Sequence, residues 1–290
     1  MGRSDQQGRH QARLISPLSP FWRSAEEQAL ANNDISFDDG AAYERMMGVW
    51  SRLPGEVFLD WLAPAPALRW LDVGCGNGAF TELLVERCAP VEVRGVDTSP
   101  EQIAYARARP AKGLASYEVG DALALPFADR HFDAATMALV IFFLPDPAHG
   151  VAEMARVVRP GGSVSAYAWD LIGGGSPIDP LREEMRALGL APASAPSNEA
   201  SHTDALRALW EGAGLIEVET RQITVHRTFP DFEDFWATTL EGSIIGPEIN
   251  RLAPADREKL QSRIRTRLGA DAAGRVTYAS RANAVKGIAP

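Results

Sequence analysis

From Trp70 to Trp169 the chain alternates apolar runs of strand length with amphipathic runs, in the order strand, helix, strand, helix, strand, short loop, strand, helix, strand. That alternation predicts a parallel sheet joined by right-handed crossovers. Phe80, Leu83 and Leu84 give the helix after Gly78 one apolar face. Val151, Met154 and Val158 do the same for a helix from about Ala148 to Val158, which Arg159-Pro-Gly-Gly162 is expected to stop. Strand five then runs from Ser163 to Trp169. Leu215 to Phe229 alternates through Ile216, Val218, Ile223 and Val225 and reads as a long sixth strand, and a last strand is expected at about Val276 to Val285. Phe232 to Leu240 and Pro254 to Leu268 read as helices, which places a helical cap between strands six and seven.

The flanks carry weaker patterns. Residues 1–35 are rich in Gln, Ser, Arg and Asn without sustained periodicity and read as a flexible tail, with a short helix at about Ala25 to Asn32. Tyr43, Met46, Met47 and Trp50 follow helical spacing, as core or as a lid over the sheet edge. Residues 170–200 hold Gly173-Gly-Gly175 and prolines 177, 180, 192 and 196 around a short helical segment, Leu181 to Leu190, and read as a mobile excursion. A further helix is expected from about Thr203 to Trp210.

Length and composition suit this picture. A chain of 290 residues that is 46% hydrophobic buries a substantial core, and one domain with insertions fits better than two. A formal net charge of -9 argues against a nucleic-acid substrate. The two cysteines, Cys75 and Cys88, support neither a disulfide scaffold nor a thiolate metal site, and no His, Cys or carboxylate cluster has metal-ligand spacing. No apolar signal region and no stretch of membrane-spanning length occurs, so the expected location is cytoplasmic.

The chemistry concentrates at Trp70-Leu-Asp-Val-Gly-Cys-Gly-Asn-Gly78, a strand that breaks into alternate glycines directly before a helix. Glycine lets a ligand approach bare backbone, and the first helical N–H groups have no partners of their own. Gly74, Gly76 and Ala79 also satisfy the dinucleotide fingerprint, but Asp72 inside the strand would repel a pyrophosphate and welcome an ammonium group. Asp97 ends the second strand 25 residues after Asp72, ahead of Ser99 as N-cap, Pro100 as the first helical residue and Gln102 as the partner in a capping box. A carboxylate there can accept both ribose hydroxyls. Gly120-Asp121 closes the third strand at the same edge.

Five segments, Leu71 to Gly78, Val93 to Asp97, Gly120-Asp121-Ala122, Phe132 to Leu139 and Arg156 to Gly162, fall in order and at the spacing of one family. On these residues the chain resembles the class I S-adenosylmethionine-dependent methyltransferases, in the broad small-molecule group that includes ubiquinone-biosynthesis enzymes. The resemblance implies an α/β, Rossmann-like, seven-stranded, mostly parallel sheet with an antiparallel last strand, helices on both faces and the helical cap between strands six and seven. The domain would span 36–290, with a core of about 60–229 and 275–290, a lid segment 170–200 and a helical insertion 230–274. The resemblance also implies S-adenosylmethionine as cofactor. Asp72, Gly74, Cys75, Gly76 and Gly78 would surround its methionine end, Asp97 and Thr98 the ribose, and Asp121 and Ala122 the adenine, with Leu123 covering the ring. The backbone near Ala138 would face the amino group.

The acceptor is expected to be a small, partly apolar metabolite, methylated on O, N or C, lined by Val140, Ile141, Phe142 and Phe143 with Tyr43, Trp50 and Trp169. No catalytic base is assigned. Asp170 after strand five and His202 before a helix lie on the active side, whereas His131 sits in a surface turn and His149 at a helix start. Leu139 to Pro147 lacks the motif expected of enzymes that methylate nucleic-acid amino groups. A NAD-dependent oxidoreductase and a cofactor-binding sensor without turnover stay open as alternatives. So does a homodimer, to which Phe235 and Trp236 could contribute.

Overall fold

A computed structural model describes residues 44–109, 113–192, 194–243 and 245–290, all within one unit, Asp39–Pro290. The expected tail, its helix and Tyr43 lie outside the described residues. A π-helical turn, Glu44–Gly48, leads into α1 (Val49–Leu62), which continues through Pro54 beyond the stripe that ends at Trp50. There follow β1 (Arg69–Val73), α2 (Ala79–Cys88), β2 (Glu92–Asp97), α3 (Pro100–Arg107), β3 (Ala115–Val119), β4 (Phe132–Ala138), α4 (Pro147–Val157) and β5 (Val158–Trp169). Beyond them lie α5 (Asp179–Ala187), α6 (Thr203–Gly212), β6 (Ile216–Phe229), α7 (Phe232–Gly242), α8 (Gly246–Asn250), α9 (Pro254–Leu268) and β7 (Val276–Ile288).

The seven strands form one sheet in the order β3-β2-β1-β4-β5-β7-β6. β1 to β5 pair in parallel, and β7 runs antiparallel to both β5 and β6. From β1 the chain steps outward one way through β2 and β3, then resumes on the other side with β4 and β5. Right-handed crossovers therefore put α2 and α3 on one face and α4 on the other. On the first face Tyr167 of β5 packs its ring 4.8 Å from Phe58 of α1 and 5.5 Å from Phe80 of α2. At the far end of the sheet α6 is pinned by Trp210, whose Nε1 donates to the Val164 carbonyl at 2.9 Å. The central strands are buried on both sides and so read as apolar runs; Trp70, Leu71 and Val73 are buried, and Asp72 among them is equally inaccessible.

Caps follow local chemistry. Ser99 Oγ accepts the Gln102 N–H at 3.2 Å ahead of Pro100, and Asp146 Oδ1 accepts the His149 N–H at 3.0 Å ahead of Pro147. One boundary differs from the sequence expectation: α4 ends at Val157, and Val158 pairs with Phe132 as the first residue of β5. Arg159-Pro-Gly-Gly162 is a kink inside the strand, where the β4–β5 register shifts between Phe132 and Ala134. A side chain on Gly162 would come within 2.6 Å of the Asp133 carbonyl, so only glycine lets β5 return to β4 there. The cap between β6 and β7 consists of α7, α8 and α9, of which α8 carried no readable pattern. Among the described residues no helix is long and apolar enough to cross a membrane.

Candidate active site at the sheet switch point

The order of strands reverses between β1 and β4, and the crevice at their carboxyl ends is where open α/β sheets take ligands. After Val73 the chain turns over β2, with the Gly74 and Cys75 N–H groups both donating to the Val96 carbonyl at 2.7 and 3.0 Å. Gly74 has φ +73°, and a Cβ there would lie 2.5 Å from Val140 of the loop after β4. The two loops flanking the switch are therefore in direct contact because one residue has no side chain. Gly76, at φ +50°, has nothing within 4 Å of where a Cβ would stand. Its neighbour Cys75 is buried, and burial, with Asp72 and Asp97 close by, holds its thiol far above the usual range. Gly78 caps α2, whose N-terminus opens at the loop.

Two acids reach this loop, and a third shares its sheet edge. Asp72 is fully buried, and its Oδ2 accepts the Thr81 hydroxyl of α2 at 2.6 Å while Oδ1 has no hydrogen-bond partner. Burial, opposed by the Thr81 hydrogen bond and reinforced by the Asp97 charge, pushes the Asp72 carboxyl up to about 7. Asp97, half-buried, holds the loop itself: Oδ2 accepts the Gly76 N–H at 2.8 Å and Oδ1 the Ser99 N–H at 2.9 Å. The Gly120 N–H donates to the Asp97 carbonyl at 3.0 Å, which brings Asp121 to the same edge. Asp121 is exposed, and its Oδ1 accepts the Leu123 N–H at 2.9 Å in an Asx turn, beside buried Ala122. Thr98 is exposed between Asp97 and the start of α3.

Across the crevice, β4 ends at half-buried Ala138, and Leu139 adopts φ +62°, a strained region for a residue with a side chain. Its N–H donates to the Tyr167 carbonyl at 2.8 Å, which holds the turn. Phe142 is buried and Phe143 is 46% exposed, with ring centroids 4.6 Å apart. Segment 194–201 crosses behind them: the Ser197 N–H donates to the Phe142 carbonyl and its hydroxyl to the Leu144 carbonyl at 2.7 Å. Trp169, at the end of β5, meets Trp50 of α1 edge-on at 6.4 Å, and Trp50 in turn meets Tyr278 of β7 at 5.0 Å.

The description "Methyltransferase domain" matches residues 71–166, the interval that contains the glycine loop, all three acids and the post-β4 loop. An uncharacterized protein of Mycobacterium tuberculosis is 31% identical over 207 residues, covering 68% of this chain and 74% of that protein. The demethylmenaquinone methyltransferase of Deinococcus radiodurans is 45% identical over 103 residues, 35% of this chain and 42% of that one. The chain belongs to the class I S-adenosylmethionine-dependent methyltransferases. Its fold is shared by phosphoethanolamine N-methyltransferase 2 of Haemonchus contortus, solved in complex with S-adenosyl-L-methionine, with a TM-score of 0.55 and 17% identity over 92% of this chain and 60% of that one.

S-adenosylmethionine is the cofactor of that family, and the loop of this methyltransferase fits its chemistry. An orphaned buried carboxylate oxygen asks for a positive partner, and the open space at Gly76 admits a ligand against backbone. Other sequence candidates of the methyltransferase have structural partners. Asp170 accepts Arg281 Nε and the Gly173 N–H, both at 2.9 Å, while Arg281 Nη2 donates to the Gly173 carbonyl at 2.6 Å. His202 is exposed and caps α6, its Nδ1 accepting the Asp204 N–H at 3.3 Å. His131 stacks on Phe127, and His149 lies in the first turn of α4. Among the described residues no group of three or more His, Cys, Asp or Glu could hold a metal ion.

Thr81 is the site residue that sequence reading missed. It sits three positions from Leu84 on the buried side of α2, so a hydroxyl on an otherwise apolar face was the available signal.

Proposed function

We propose that this methyltransferase alkylates a small, partly apolar metabolite on an O, N or C atom. Asp72 and the Gly74, Cys75, Gly76 and Gly78 loop take the methionine end of the cofactor, Asp97 and Thr98 the ribose, and Asp121 and Ala122 the adenine, with the Ala138 backbone toward the amino group. The acceptor lies between the post-β4 loop and the Trp50–Trp169 pair. When bound, S-adenosylmethionine supplies an electrophilic sulfonium methyl group, whose in-line displacement depends mainly on orientation and exclusion of water, effects worth up to about 7 to 11 kcal/mol.

The observation that carries this reading is the apolar wall at the switch point. Val140 touches the glycine loop, Phe142 is buried behind it, and Phe143 presents nearly half its surface. A wall of that kind selects by apolar contact, and the name of the Deinococcus relative, a demethylmenaquinone methyltransferase, supports an acceptor of apolar, aromatic character. The protein's own work is then to hold the acceptor in line and keep the crevice dry. Segments 170–200 and 230–274 would roof that side, and the protein would act in the cytoplasm.

Formation of the demethylated cofactor over a panel of quinols, phenols and amines tests the proposal. Turnover confined to apolar aromatic acceptors, and reduced by Phe143→Ala, is the expected result. Cofactor binding without turnover on any acceptor would instead favour a sensor.

A further inference from the structure

Asp72 lies in register between Gly95 of β2 and Thr136 of β4, so its side chain stands in the middle of the sheet beneath the glycine loop. The groups that act on it are neutral or acidic, and the arginine that reaches the loop, Arg109, is turned to the Asn77 carbonyl and the Glu82 carboxylate. Thr81 faces it from α2, Cys75 from the loop, Asp97 from the end of β2, Tyr117 from β3, Thr136 from β4 and Tyr167 from β5. Thr81 satisfies one carboxylate oxygen, and the other is buried without a partner. A charged carboxylate in that setting has lost its water and gained no cation, so a proton is the cheapest partner it can find. Burial accordingly raises the carboxyl to about 7, and the nearby Asp97 charge adds to the effect.

We propose that occupation of the glycine loop is coupled to ionisation of Asp72: the ligand-free protein holds a proton on this carboxyl, and the ammonium group of the arriving methyl donor displaces it to solvent. The inference rests on the reading that the loop takes the amino-acid end of S-adenosylmethionine. The step breaks one O–H bond of Asp72 and passes its proton to the buffer, with no change in oxidation state. Its sign is fixed. Where Asp72 is protonated in the free protein, each binding event releases close to one proton, and affinity falls about tenfold for each pH unit of acidification. Where Asp72 is already ionised, binding releases none and affinity is flat.

Calorimetric titration with S-adenosylmethionine in buffers of different ionisation enthalpy, between about pH 5.5 and 8, counts the protons directly. The expected result is a release near one at the acid end, declining toward zero at the alkaline end. Methylthioadenosine, the same nucleoside without the amino acid, binds with no release. Asp72→Asn abolishes the release and flattens the pH dependence of affinity. Thr81→Ala removes the hydrogen bond that favours the ionised form, so it carries the decline to higher pH, and this variant decides the matter if Asp72→Asn does not fold.

A proton count indistinguishable between wild type and Asp72→Asn, or a decline that Thr81→Ala leaves in place, would overturn the coupling while leaving the cofactor site intact. Absence of heat with S-adenosylmethionine and with its demethylated product at every pH would remove the cofactor-site reading, and the coupling with it.

Discussion

Asp97 Oδ2 receives the N–H of Gly76 at 2.8 Å while its other oxygen receives Ser99, so one carboxylate ties the glycine loop to the start of α3. The proposed ribose seat is thereby built before any ligand arrives, with the remaining lone pairs of both oxygens available to hydroxyls. Asp97→Ala removes the seat and loosens the loop together. Since hydrogen bonds to charged groups contribute about 1.5 to 3 kcal/mol each, loss of the two to the ribose should lower affinity for S-adenosylmethionine by at least about a hundredfold. Calorimetry reads the loss, and an affinity within about threefold of wild type would remove Asp97 from the site.

Gly74 and Gly76 separate packing from binding. Alanine at Gly74 would collide with Val140 as well as adopt a left-handed conformation, whereas alanine at Gly76 meets only the conformational penalty. Gly76→Ala should therefore lower stability by about 1 to 2 kcal/mol yet weaken cofactor binding markedly, because the methyl group fills space meant for the ligand. Gly74→Ala should destabilise by more, about 2 to 4 kcal/mol, as strain and overpacking combine. Urea denaturation beside calorimetry distinguishes the two, and equal stability losses would contradict the contact with Val140.

Asp72 also makes an unusual contribution to stability. Its folded carboxyl titrates at about 7, above the value near 3.9 of an unfolded aspartate, so the native state binds its proton more tightly. Stability from this group is therefore complete below about pH 4, declines as pH rises toward about 7 and is level beyond it. Relative to wild type, Asp72→Asn should gain up to about 4 kcal/mol across that interval in ligand-free protein. Denaturant midpoints at a series of pH values check it; a difference that stays constant with pH would refute the raised carboxyl.

Arg281 of β7 holds the chain where it leaves β5. Its guanidinium bonds both the Asp170 carboxylate and the Gly173 carbonyl, and its backbone exchanges hydrogen bonds with Asp170 and Gly175. Arg281→Ala leaves a nearly buried carboxylate with only the Gly173 N–H, and since the arginine is 35% exposed the expected loss is moderate, about 1 to 3 kcal/mol. Amide exchange at residues 170–175 should rise in step. Unchanged exchange there would show that the backbone alone holds the loop.

Where structure is local, the sequence was legible. The helix Pro254–Leu268 was readable to the residue because proline at its first position and Gly269 after its end are both short-range signals. β1 and β2 were bounded by their own glycines and acids, and Ser99 and Pro100 announced α3. What escaped depends on distant partners. Pro160-Gly-Gly162 looks like a helix stop until Val158 is seen to pair with Phe132, and Asp170 looks available until Arg281, 111 residues downstream, closes on it. Thr81 acquires a role only because α2 lays it over a carboxylate nine residues earlier in the chain. Asp72 and Asp97 were readable because each lies in a strand whose neighbours are parallel, whereas Asp121 stands two residues beyond the end of β3.

The position of β7 between β5 and β6 has a consequence for biosynthesis. β6 emerges from the ribosome with fourteen residues of unpaired edge, and the strand that will cover it is separated from it by three helices. Until Val276–Ile288 inserts, β5 and β6 each lack a neighbour, and the loop that Arg281 holds has no anchor. A nascent chain halted before β7 can assemble the crevice side, β1 to β5, while keeping an open strand edge on the other, which makes chaperone engagement of the growing chain most valuable in that interval.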